Sequence, residues 1–209
     1  MENASKALLM AGAILISLIV ISAFVFAYRD LTSVKRQEAE NQKVEEIAEF
    51  NKSFESYEKD LKGAQIFSLA NKITDYNKKY VENMNEGYEK ITLTVKEGNV
   101  SYEAEHYNNL QKQVDNIMNT YKSSNYLEAL HDAYKKKENG TNEEKEKAKI
   151  TIDAVAEKIG TKAAKDEMEI NDKYKTYTDY KDLKNKKFKS EGVTYYSNGR
   201  IKSMTYTQK

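Results

Sequence analysis

The chain has 209 residues, 39% of them hydrophobic and 32% charged, with 34 basic and 33 acidic side chains summing to +1, and with no Pro, Cys or Trp. The length allows one or two domains, and balanced charge supplies no whole-chain field to concentrate nucleic acid. Lack of cysteine excludes a disulfide framework, a thiolate zinc site and a thiol nucleophile. Richness in Lys, Asn, Tyr and Ile is the bias of an AT-rich genome, which suggests a low-GC bacterium.

Residues 1–6 are a short polar tail, and residues 7–28, "ALLMAGAILISLIVISAFVFAY", carry no charge. A helix of roughly 22 residues spans about 33 Å, enough for a hydrocarbon core of about 30 Å. Gly12, Ser17 and Ser22 interrupt it, and Ser can return its hydroxyl to the carbonyl one turn earlier. Three readings fit: an uncleaved anchor, a secretory signal cut before Tyr28 behind Val25 and Ala27, and a buried core helix. The weak basic flank and the length favour the anchor, with Tyr28 at the interface and the lipid bilayer as partner. Orientation stays open. Arg29, Lys35 and Arg36 outnumber Lys6 and the amino terminus, which favours a cytoplasmic body, yet long downstream domains translocate largely regardless of charge. We expect an extracytoplasmic body.

Residues 29–62 read as an amphipathic helical stalk, because Ile47, Phe50, Phe54, Tyr57 and Leu61 recur at spacings of three and four. Residues 35–46 are nearly all polar, leaving the lower stalk little to pack on. Gly63 ends or bends this helix, and Ile66, Leu69, Ile73, Tyr76 and Tyr80 stripe a second one that Gly87 closes. Within the body, 63–209, Ile91, Leu93 and Val95 alternate with polar residues, predicting a strand over 89–95. Gly98-Asn99 turns the chain toward a short partner at 100–102.

Helical spacing returns for an insertion of about 103–170. Its apolar positions are Tyr107, Leu110, Val114, Ile117 and Tyr121, then Leu127, Leu130 and Tyr134. The insertion breaks at "SSN" (123–125) and at the charged segment 135–147. Thr141 with Glu144 spells a capping box, and Gly160 ends the helix bearing Ile152, Val155 and Ile159. Residues 161–187 fit a helix or a strand, with Tyr174, Tyr177 and Tyr180 on either. The terminal run predicts a β-hairpin over 192–207 around Asn198-Gly199 in a type I′ turn, pairing Tyr196 with Ile201 and Val193 with Met204. The expected fold is therefore α+β: a membrane helix, a helical stalk, then helices on a small antiparallel sheet with a helical insertion and a terminal hairpin.

The sequence assigns no catalytic, cofactor-binding or metal-ligating residue and no cofactor. Glu103 and His106 stand one helical turn apart, but two ligands do not close a metal shell, and His131 has only Asp132 beside it. Phosphate loops, nucleophile elbows and triads are missing. The basic stretch 181–190, "KDLKNKKFKS", could touch teichoic acid or phospholipid outside a cell, or nucleic acid inside, and reads more simply as a solvated loop. Tyr57, Tyr76, Tyr80, Tyr121 and Tyr195 fit the edge of a core with their hydroxyls in water. No nucleic-acid partner is expected.

The start "MENASKAL", the apolar run and "EFNKSFESYEKDLKGAQIFSLANKI" resemble a group of small single-span proteins from Gram-positive anaerobes. The shared positions are Phe50, Asn51, Phe54, Tyr57, Gly63 and Gln65, and the resemblance covers about the first 80 residues and the terminal hairpin. The layout is similar to that of type IV pilins, although no prepilin peptidase motif precedes the apolar run and Ala11 stands where pilins place Glu. "KSEGVTYYSNGRIKS" resembles one unit of the MORN-variant repeat. The anchor and the lack of catalytic motifs together lead us to expect a non-enzymatic, membrane-anchored extracytoplasmic surface or envelope interaction module, pilin-like in layout, with an unknown protein or cell-envelope partner and self-association as one option. The alternative is a regulatory or scaffold protein with a cytoplasmic body.

Overall fold

The computed structural model describes residues 2–82 and 88–209. Gly87, expected to close a helix, lies outside the described residues. Two units follow each other in the chain, 1–53 and 54–209.

The first unit is a single helix, α1 (Glu2–Lys52), with no buried residue. The hydroxyls of Ser17 and Ser22 donate to the carbonyls of Ala13 and Leu18, at 2.9 and 2.8 Å, so both polar groups within the apolar run are satisfied by their own helix. Nothing lies within 4 Å of where a Cβ on Gly12 would stand. With a mean hydropathy of 2.8 over its apolar window, α1 is long and apolar enough to cross a membrane.

Helical spacing through Leu61 predicts a longer helix than the chain forms. The helix stops at Lys52, and Phe54, Tyr57 and Leu61 do not continue its stripe. Phe54 is buried before a 3₁₀ turn (Glu55–Tyr57), and Leu61 is buried in strand β1 (Leu61–Lys62). Tertiary burial of these two side chains, 1% and 2% exposed, overrides a helical pattern that contains no breaker.

The second unit is α+β. Its sheet has the order β1-β4-β5-β2-β3, with β2 (Thr92–Glu97), β3 (Val100–Glu103), β4 (Lys187–Tyr195) and β5 (Ile201–Gln208). The expected antiparallel sheet is mixed: β2 runs parallel to β5. That pairing sets Leu93 beside Met204 and Val95 beside Tyr206, all four essentially fully buried, so one apolar face is continuous across both strands. β2 and β3 join through Gly98-Asn99, where only Gly98 has positive φ, the sign pattern of a type II′ turn.

The terminal hairpin spans β4 and β5, longer than 192–207. Its turn is not type I′, since Asn198 keeps a negative φ and only Gly199 is positive (+86°). Gly199 N–H donates to Tyr196 O (2.9 Å) and Tyr196 N–H to Arg200 O (2.8 Å), a three-residue loop ending in a left-handed glycine. Tyr195, rather than Tyr196, therefore opposes Ile201. A register shift between Thr194 and Tyr195 absorbs the extra loop residue, so Val193 still opposes Met204 as expected. The same irregularity lets Ile201 and Met204, three apart, both point into the core.

Helices α2 (Gly63–Tyr76) and α3 (Ala104–Tyr121) cover the sheet. Gln65 caps the start of α2: its side chain accepts Lys62 N–H at 2.9 Å. Gly63 allows α2 to meet helix α7 (Glu167–Asn185): a Cβ there would fall 1.8 Å from Leu183 O, and its N–H donates to Lys186 O at 2.8 Å. After α2 a π-helical turn (Asn77–Val81) presents Asn77, whose amide donates to Ile91 O (2.8 Å) and accepts from Ile91 N–H (2.9 Å). One side chain thus satisfies both backbone groups of the residue entering β2.

A second core lies in the insertion, among α3, α4 (Ser124–Asn139), α5 (Asn142–Ile159), α6 (Thr161–Lys165) and α7. It gathers Leu127, Leu130, Tyr134, Ile152, Val155 and Ile170. Thr141 and Glu144 form the predicted capping box of α5, and Gly160 follows that helix with φ +97°. The ambiguous segment 161–187 is helical as far as Asn185, extending the helical run beyond 170.

Candidate functional site

Three places could carry function: the apolar stretch of α1, two polar clefts in the second unit, and the outer face of the sheet. On α1, Leu8, Ile16 and Phe24 are 79%, 64% and 72% exposed, and the apolar residues between them are exposed all round the helix. A helix apolar on every side, with none of its described residues buried, is compatible with a lipid environment.

The first cleft, about 210 Å³, opens between α3 and α7. Phe67 packs edge-on to Tyr107 and Tyr180, and Tyr180 OH donates to Gln111 Oε1 at 2.6 Å, pinning the two helices at one end. Toward the other end Asn116, Thr120 and Tyr121 of α3 share the cleft with Glu169, Lys173 and Thr176 of α7. The Tyr121 hydroxyl is buried without a hydrogen-bond partner, so the expectation of a hydroxyl in water is corrected for this residue. Burial, then the carboxylates of Glu169 and Asp166, push its pKa up to about 12. Thr120 and Thr176 spend their protons on the carbonyls of Asn116 (2.9 Å) and Asp172 (3.0 Å), so neither donates to a base.

The second cleft, about 300 Å³, mixes Glu82, Glu103 and Glu105 with Lys90 and Lys112 around Asn108. Asn108 is 7% exposed and donates to Thr74 Oγ1 at 2.5 Å. No group of three or more His, Asp or Glu that could hold a metal occurs among the described residues. Glu103 ends β3, and His106 stacks on Tyr102 with centroids 4.1 Å apart. His131 stacks on Tyr174 at 3.9 Å and its Nδ1 lies 2.8 Å from Asn171 Oδ1. Both imidazoles are thus engaged with aromatic rings, and Asp132 is not the partner of His131.

Tyr107, expected on the apolar stripe of its helix, and Tyr206, which the sequence reading did not single out, are both fully buried. Tyr107 OH donates to Glu97 Oε1 at 2.6 Å, and Tyr206 OH donates to Tyr57 O. Their place on the apolar face was readable from Tyr107 at the head of the α3 stripe and from Tyr206 two residues after Met204. Tyr88 stacks on Tyr80 and carries the Arg200 guanidinium over its ring, at 4.7 Å in each case. Tyr196 OH donates to Lys90 O (2.7 Å), so this aromatic group fastens the hairpin tip to the entry of β2.

No family model, curated protein or solved structure matches the chain.

Proposed function

We propose that the chain is a single-pass membrane protein in which residues 7–28 anchor, the remainder of α1 spaces, and the α+β unit makes contacts as an extracytoplasmic, non-enzymatic interaction module. One observation carries the reading: a helix of 51 residues holds a charge-free stretch of 22 in its first half and buries none of it. In water such a surface would drive association, whereas in lipid it needs no further partner. The two polar clefts support a binding role, because their linings mix carboxylates, lysines and amides, side chains suited to holding a polar partner. A long N-terminal helix ahead of an α+β unit is also the layout of a pilin-like subunit, the finer form of this proposal.

Protease treatment of intact cells carrying a C-terminal tag tests it. Loss of the tag supports an external unit. Survival of the tag, with loss only after lysis, favours the rival reading of a cytoplasmic scaffold, which the excess of Arg29, Lys35 and Arg36 over Lys6 recommends.

A further inference from the structure

The basic stretch 181–190 is not a loop: it ends α7 and opens β4, and the sheet brings distant lysines to it. Lys62 of β1 stands directly opposite Lys187 of β4, and Lys209, just past the end of β5, donates its N–H to Lys187 O at 2.9 Å, so three lysines lie side by side. In the next row Lys189 opposes Thr207, which opposes Lys96, which opposes Ser101. Leu61, Val95, Phe188 and Tyr206 point into the core, so their neighbours Lys62, Lys96, Lys187, Lys189 and Lys209 share the open face, and all five are exposed.

Like charges opposed across strands destabilise a sheet. The two carboxylates paired to these lysines offset two of the five charges and leave three. Asp60 bonds Lys209 at 2.7 Å and Ser190 N–H at 3.0 Å, and Glu191 reaches Lys189 at 3.7 Å. Lys62, Lys96 and Lys187 enter no ion pair among the described residues. Neighbouring strands lie about 4.8 Å apart, so the ammonium groups can follow a string of closely spaced charges.

We infer that this lysine face binds a linear phosphodiester polyanion without bases, of the poly(glycerol phosphate) type. Lysine offers point charges and no fork to read a planar group. The two rows contain Lys, Thr and Ser and no aromatic ring on which a base could stack, which argues against nucleic acid. The hydroxyls of Thr207 and Ser101 interleave with the ammonium groups and can donate to phosphate or to glycerol oxygens.

The test uses the full chain in phosphatidylcholine nanodiscs and fluorescence anisotropy of end-labelled poly(glycerol phosphate). The triple variant Lys62→Gln, Lys96→Gln, Lys187→Gln is expected to bind about tenfold or more weakly at low salt, with a slope of log affinity on log salt reduced by about 2. Its melting temperature should hold or rise, because opposed charges are removed. A control triple, Lys135→Gln, Lys136→Gln, Lys137→Gln at the end of α4, should bind as the parent does. Undetectable binding by the parent, equal weakening by the control, or a lower melting temperature of the face variant would each overturn the inference. So would tighter binding of a single-stranded oligonucleotide of equal charge, or of phosphatidylglycerol vesicles.

Discussion

Replacing Gly63 by Ala isolates the contact that holds α2 against the end of α7. The added Cβ would sit 1.8 Å from Leu183 O, 2.7 Å from Leu183 C and 3.0 Å from Lys184 Cα, all backbone atoms of a helix that cannot rotate aside. Relief requires the two helices to part by more than an ångström, which also stretches the 2.8 Å bond from Gly63 N–H to Lys186 O. Overpacking of this kind costs about 1–3 kcal/mol, and Ala recovers up to about 1 kcal/mol of helix propensity. Since the obstructing atoms are main chain, the upper part of the range applies, for a net loss of about 2 kcal/mol. For a unit of this size that lowers the melting temperature by about 4–8 °C. The assay is thermal unfolding of the full chain followed by circular dichroism, with Gly12→Ala as control, because nothing lies within 4 Å of a Cβ there. An unchanged or raised melting temperature in Gly63→Ala would refute the packing argument.

Asn77→Leu leaves Ile91 N–H and C=O without their partner, and equilibrium denaturation should show a loss of about 2–4 kcal/mol. Tyr121→Phe removes a hydroxyl that has no partner and should be neutral or stabilising by thermal melt, whereas Tyr134→Phe loses the 2.9 Å bond to Ala164 O and should cost about 1 kcal/mol. In alkali, burial holds Tyr107, Tyr121 and Tyr206 protonated above the ordinary phenol value. A raised folded-state pKa gives stability that is complete below pH 10 and declines as pH rises, for Tyr121 through about 12. Absorbance titration should therefore show exposed tyrosines ionising first and a late fraction ionising only as the fold opens. Simultaneous titration of all tyrosines in a folded chain would contradict the burial.

Local signals in the sequence proved informative where the residues that decide a feature lie close together. The Thr141–Glu144 capping box, the Gly98-Asn99 turn and the hairpin's Val193–Met204 pair are all contained within a dozen residues. The hairpin turn type was misread because Asn-Gly also suits a longer loop, and only the bulge near Lys202 restores the expected register. Long-range features were not legible. The parallel pairing of β2 with β5 joins residues more than a hundred apart, and alternation of apolar residues is the same for parallel and antiparallel neighbours. Nothing local marks the end of α1 before Phe54, since the same apolar residues satisfy a helical stripe and a buried corner. The lysine face was half visible: 181–190 stands out in the sequence, but Lys62, Lys96 and Lys209 reach it only through strand register.

The anchor is tested most directly by extracting membranes from cells that express the full chain with alkaline carbonate. The account predicts that the chain stays with the membrane pellet. An Ile16→Arg, Ile19→Arg variant, which places two charges mid-span at about 2.5–3.5 kcal/mol each, should be released or fail to insert. Recovery of the unaltered full-length chain in the carbonate supernatant, without detergent, would contradict the account.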